Sequence, residues 1–217
     1  MKKFAVIFDM DGVIIDSNPY HTIALRQFCE KYGYHLSEEE LLKRIFGRTN
    51  KEWIANLFNR PMSKEELSQF GEEKEALFRD IYKNDIKPVD GLGVFLEQLK
   101  VNGIPAAIGT SAPRSNVDFV LAKTNFGKYF TTALDESSVT QGKPNPEIYQ
   151  KVAAALNFPP EQCVVFEDSL SGVEAAQRAG CKVVGITTTH TPQELSHTNF
   201  NIPDFKNLEV SRLESLF

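Results

Sequence analysis

A chain of 217 residues has room for one α/β domain and a smaller appendage, and its 41% apolar and 24% charged content excludes wholesale disorder. The 24 basic and 29 acidic residues leave a net charge of −5, which argues against a general nucleic-acid binder but not against a local phosphate site. Its longest apolar runs, such as residues 4–8, are too short to span a bilayer.

The chain opens Met1-Lys2-Lys3 and then an apolar run, as a secretory leader would. Asp9 and Asp11 interrupt that run, however, and no small-residue cleavage site follows. A cytoplasmic protein is expected, and Cys29, Cys163 and Cys181, with no metal-type spacing, fit buried thiols in a reducing compartment. Residues 3–8 (KFAVIF) are β-branched and aromatic and stop at Asp-Met-Asp-Gly, which predicts a buried parallel strand with a turn at Gly12.

From residue 19 to 87 no strand pattern follows. Ser37 with Glu40, Thr49 with Glu52, and Ser63 with Glu66 are capping-box signatures, each opening an amphipathic run. His21, Leu25, Phe28, Cys29 and Tyr32 share a helical face in the first run, and Phe70, Leu77 and Ile81 mark the last. Trp53 reads as core of this helical region, and Lys74 sits where an exposed lysine is the default.

Strand-like runs return at residues 104–108 (IPAAI), 163–166 (CVVF) and 182–186 (KVVGI), alternating with helical patterns at 91–100, 115–125, 146–156 and 169–179. Asn145 before Pro146 reads as N-cap and first helical position, with Gly103 and Gly180 as helix stops. The alternation predicts an α/β fold, a doubly wound parallel sheet with an inserted helical domain. The expected division is a core of residues 1–15 and 90–217 and an insertion of 16–89.

Ligands of open parallel sheets bind beyond the carboxyl ends of the strands. Those predicted ends carry Asp9 and Asp11, Thr110 and Ser111, then Glu167 and Asp168, while Lys143 follows Gly142 in a loop (QGKPNP) before a helix. Clustered carboxylates repel unless a cation sits among them, and an all-oxygen set selects a hard ion, Mg²⁺ before Ca²⁺. Phosphoryl transfer needs such a cation, donors for the equatorial oxygens and an in-line nucleophile. Asp9 is the candidate nucleophile and Asp11 the acid/base, with Met10 between them facing the core. The Thr110 hydroxyl and Ser111 amide would bind phosphate oxygens, and Lys143 would supply charge. Arg114, after Pro113, is a helix-start charge or a phosphate contact. Arg48 and Asn50 lie in a loop beside Gly47, where close backbone approach is expected.

FDMDGV (8–13), Thr110-Ser111, Lys143 in GKPNP, and FEDSLSG (166–172) resemble, in order and spacing, the four motifs of the haloacid dehalogenase superfamily. The resemblance covers essentially the whole chain. It implies a Rossmann-like core with a C1 cap inserted after the first motif, and Mg²⁺ held by Asp9, the Asp11 carbonyl and Asp168, with Glu167 acting mainly on metal-bound water. The second aspartate, Asp11, separates phosphotransferases from the dehalogenase branch.

Within the superfamily the chain is similar to β-phosphoglucomutase and the sugar-phosphate phosphatases around it, and His21 and Lys74 stand where that mutase has substrate-contacting residues. Leu25 replaces a cap tryptophan, and Arg48 or Asn50 only approximates an arginine that grips the distal phosphate, which favours a phosphatase of a small phosphorylated metabolite. The alternatives are a phosphohexomutase, a pyrophosphatase (although Phe46 offers no extra carboxylate) and a non-catalytic phospho-ligand binder. Neither nucleic acid nor membrane is expected as a partner, and a monomer suffices. Residues 16–18 and 87–90 are the expected hinges of a closing cap.

Overall fold

The sheet is built outward from β1 (Ala5–Phe8), a strand buried at every position, in the computed structural model, which describes residues 4–37, 39–41 and 50–217. The main helices in chain order are α1 (Asn18–Lys31), α2 (Asn50–Phe58), α3 (Lys64–Tyr82), α4 (Leu92–Val101), α5 (Arg114–Thr124), α6 (Glu147–Ala155), α7 (Leu170–Ala179) and α8 (Val210–Glu214). The strands after β1 are β2 (Ala106–Gly109), β3 (Phe130–Leu134), β4 (Cys163–Glu167), β5 (Lys182–Ile186) and β6 (Phe200–Ile202). They form one six-stranded sheet in the order β3-β2-β1-β4-β5-β6, with every pairing parallel.

Because side chains alternate along a strand, β1 feeds both layers. Ala5 and Ile7 join Ala107, Cys163, Val165 and Val183 on the face that packs against Ile148, Tyr149 and Val152 of α6 and Val173 and Ala176 of α7. Phe8 belongs to an aromatic cluster, stacking on Phe166 with ring centroids 5.1 Å apart beside Phe95 and Phe205. The four internal strands thus match the expected apolar runs. Two edge strands went unread in the sequence. β3 is largely half-buried and carries two threonines, and β6 is only three residues long, so neither makes an apolar run.

Chain contacts divide the molecule into two units, Met1–Asp16 with Ile86–Phe217, and Ser17–Asp85. In the first, the two chain crossings lie side by side: Ile15 bridges Pro88, and Val89 N–H donates to Ile14 O at 3.0 Å. The second is helical. Leu25, Phe28, Cys29, Leu41, Trp53, Ile54 and Leu57 form its core, so Trp53 is core as expected. The boxes of Ser37 with Glu40 and Ser63 with Glu66 are both closed by reciprocal hydrogen bonds. The expected Thr49–Glu52 box lies outside the described residues, as do Phe46 and Gly47.

Two details depart from the sequence reading. Helix α6 starts after Pro146, not at it; Asn145 still caps from outside, its Oδ1 accepting from Glu147 N at 3.0 Å. The buried stripe of α3 is Gly71, Lys74, Glu75, Phe78 and Tyr82, one step round from Phe70, Leu77 and Ile81, because a charged pair is buried there. Among the described residues no helix is long and apolar enough to cross a membrane.

Candidate active site

Strand register assembles the site. Phe8 pairs with Ile108 on one side and with Phe166 on the other, so the next residue along, Asp9, is level with Gly109 and Glu167. One step further stand Thr110 and Asp168. Asp9 N–H extends the ladder by donating to Phe166 O at 3.0 Å, and Thr110 N–H donates to Leu134 O at 3.1 Å. Met10 is fully buried, which turns its neighbours Asp9 and Asp11 away from the core. Gly12, with φ at +75°, makes the turn that ends the strand, and its N–H reaches Ile15 O at 2.7 Å.

Lys143 reaches this rim from the loop before α6. Its Nζ donates to Asp9 Oδ1 at 2.8 Å and to Glu167 Oε1 at 2.7 Å, and all three groups are at least nine-tenths buried. Asp9, Glu167 and Asp168 each offer a carboxylate oxygen within 4.8 Å of the others. Burial, then the charges of Glu167 and Asp11, push the Asp9 carboxyl up to about 7 even with Lys143 opposing. Asp168 is raised well above the carboxylate range by burial and by Glu167 and Asp9. Burial works against the charge of Glu167, yet the Lys143 ammonium and the Ser169 amide hold its carboxyl below the ordinary value. Burial likewise opposes the charge on Lys143, but Asp9 and Glu167 raise it above the ordinary lysine range. One ammonium thus bridges two acids, Asp9 and Glu167, with Asp168 close beside them.

Glu167 is held on every side. Oε1 accepts from Lys143 and from Tyr149 Oη (2.9 Å), and Oε2 accepts from Ser169 N (2.8 Å) and Ser169 Oγ (3.0 Å). A methyl group at Gly172 would run into this carboxylate, so glycine is required there for close approach. Thr110 is buried and its Oγ1 accepts from Ala112 N at 3.1 Å, which leaves its own proton available to donate. Ser111 beside it is exposed.

The remaining expected residues divide differently. The Arg114 guanidinium has protein partners, donating to Asp118 Oδ1 at 2.9 Å and to Ala133 O at 3.3 Å. His21 and Lys74 lie in the other unit and meet there. Lys74 Nζ donates to His21 Nδ1 and to Glu75 Oε1, both at 2.9 Å, and the His21 ring stacks on Phe78 with centroids 3.7 Å apart. Lys74 is buried, contrary to the exposed default, because these partners compensate its charge. Arg48 lies outside the described residues.

Sequence reading missed Tyr149, Ser169 and the threonine-rich loop after β5. In that loop Thr189 donates to Asp168 Oδ2, His190 Nδ1 lies 2.9 Å from Asp168 O, and Thr188 Oγ1 donates to Gly12 O at 2.6 Å. The signal was present, since the run Thr187-Thr188-Thr189-His190 sits at a strand end, where polar residues face a ligand.

The sequence model of the haloacid dehalogenase-like hydrolase family matches residues 6–186. The chain belongs to that family. It is 39% identical over 180 residues to a phosphorylated carbohydrates phosphatase of Thermotoga maritima, covering 81% of each chain. A β-phosphoglucomutase of Bacillus subtilis is 27% identical, over 84% of this chain and 82% of that one. Among solved structures, a family IA haloacid dehalogenase hydrolase, variant 3, from Entamoeba histolytica superposes with a TM-score of 0.91 at 34% identity, covering 98% of both chains.

Proposed function

We propose that the chain is a Mg²⁺-dependent phosphatase that hydrolyses a small, sugar-phosphate-like phosphomonoester through an aspartyl-phosphate on Asp9. One observation carries the reading: Asp9 is buried at the end of the central strand, hydrogen-bonded to Lys143 and within reach of Asp168. The resemblance to the Thermotoga phosphatase supports the substrate class.

Three buried carboxylates around one ammonium carry more negative charge than the site neutralises, and their oxygen-only donor set suits Mg²⁺. Asp9, Asp168 and the Asp11 carbonyl would hold the ion. Glu167, with both oxygens already accepting from protein donors, contributes charge and not a ligand atom. Bound Mg²⁺ would offset phosphate charge and keep the Asp9 carboxyl ionised.

The Asp9 carboxylate attacks phosphorus while the bond to the leaving oxygen breaks, and Asp11 gives that oxygen its proton. Asp11 then takes a proton from a water whose oxygen attacks phosphorus; the bond between phosphorus and the Asp9 oxygen breaks, releasing inorganic phosphate and the free Asp9 carboxylate. The Thr110 hydroxyl, the Ser111 amide and an N–H of Lys143 hold the transferring oxygens. A cytoplasmic, monomeric enzyme is part of the proposal, and Cys29, Cys163 and Cys181 are buried and joined in no disulfide.

Phosphate release from a panel of sugar phosphates with Mg²⁺ tests the proposal. Wild type should turn over and Asp9→Asn should not; undiminished release by the variant sinks the mechanism. The resemblance to the Bacillus mutase motivates a second reading, favoured instead if β-glucose 1-phosphate becomes the 6-phosphate without comparable phosphate loss.

A further inference from the structure

We propose that Tyr149 is a positioning residue for the phosphoryl-transfer step, acting through Glu167 on Lys143. The inference rests on the phosphatase reading above and deepens it. Tyr149 lies six residues past Lys143, on the first turn of α6, and is wholly buried. Two features of its side chain bear on the lysine. Its hydroxyl donates to Glu167 Oε1 at 2.9 Å, the same oxygen that accepts from Lys143 at 2.7 Å. The face of its ring lies under the ammonium, with Nζ 4.9 Å from the centroid.

Lys143 stands between two carboxylates at nearly equal distances, 2.8 Å from Asp9 and 2.7 Å from Glu167. Its use in catalysis is on the Asp9 side, where charge develops on the transferring group. Glu167 competes for it. A second donor on Glu167 Oε1 weakens that competition by taking up part of the oxygen's charge, and the ring fixes Nζ from below. The α6 turn that carries Tyr149 is itself anchored: Glu147 accepts from Thr140 N at 2.9 Å and from Gln141 N at 3.0 Å. Close packing adds to this, since Gly109 at the end of β2 has no side chain to keep α6 away. Tyr149 therefore sets how Lys143 is divided between its anchor and the nucleophile.

Tyr149→Phe separates the two contributions, because it keeps the ring and removes only the hydroxyl. Tyr149→Leu removes both. With Mg²⁺ and the best sugar phosphate of the panel, Tyr149→Phe should lower kcat about tenfold, the effect of one lost hydrogen bond to a charged group, with KM changed less than twofold. Tyr149→Leu should lower kcat further. Inhibition by vanadate, which resembles the five-coordinate phosphorus, should weaken in parallel with kcat, while inhibition by inorganic phosphate should not. Circular dichroism and thermal melting of Tyr149→Phe show whether the fold is intact.

If wild type and Asp9→Asn release phosphate equally, the phosphatase reading itself fails. If Asp9→Asn is inactive while folded Tyr149→Phe keeps wild-type kcat and vanadate inhibition, only the Tyr149 inference is overturned. Equal loss of vanadate and phosphate affinity would also overturn it, because that is the mark of general loosening of the site.

Discussion

Asp9 feels opposing influences: burial and the Glu167 and Asp11 charges push its carboxyl from an ordinary 3.8 up to about 7, while Lys143 pulls it down. The folded chain thus holds this proton more tightly than the unfolded chain. Between those two values the folded state binds more protons, so stability falls as pH rises through that window. Below it the penalty is absent, and above it the penalty is complete. In metal-free buffer, wild type should therefore lose thermal stability from pH 4 to 7 more steeply than Asp9→Asn. Parallel melting curves would show that burial does not govern this carboxyl. The same residue was legible in the sequence because its chemistry is local, an acid ending an apolar strand. Tyr149 was not legible, since a tyrosine on a helix face reads as core, and its bond to Glu167 links residues 18 apart.

Helix α3 shows how a neighbouring element changes what a local pattern means. Lys74 reads as an exposed lysine, but it is buried beside Glu75, with His21 from α1, 53 residues away, and Asn50 from α2 closing over the pair. Trp53 Nε1 donates in turn to Asn50 Oδ1 at 2.9 Å. Burial opposes the charge of Glu75, but Lys74, His21 and Asn50 hold its carboxyl below the ordinary range. Removing one member of a buried charged set leaves the other uncompensated. Glu75→Ala should destabilise the helical unit by about 3–5 kcal/mol in urea denaturation. Glu72→Ala, an exposed position on the same helix, should cost less than about 1 kcal/mol. Similar losses for the two variants would show that the buried network contributes nothing special. The capping boxes were easier to read, because Ser63 and Glu66 sit within one turn and need no distant partner.

Across the molecule, the four internal strands and the helices between them followed from alternating runs, and their ends brought Asp9, Lys143, Glu167 and Asp168 together. The edge strands escaped because half-exposed pairing needs no apolar signature. Convergence of acids at a rim has a measurable outcome for the whole chain. A ligand that binds only the folded state raises its melting temperature with concentration. Mg²⁺ should therefore stabilise wild type in differential scanning fluorimetry, and Asp168→Asn should blunt the rise. Unchanged melting up to millimolar Mg²⁺ would argue against the acidic cluster as a cation site.

The hydrogen bond between Asp9 and Lys143 spans 134 positions. Protein synthesis therefore delivers Asp9 well before Lys143. A chain in which Asp9 has emerged and Lys143 has not would hold the proposed nucleophile without its counter-charge, so the proposed site is complete only once both segments are made.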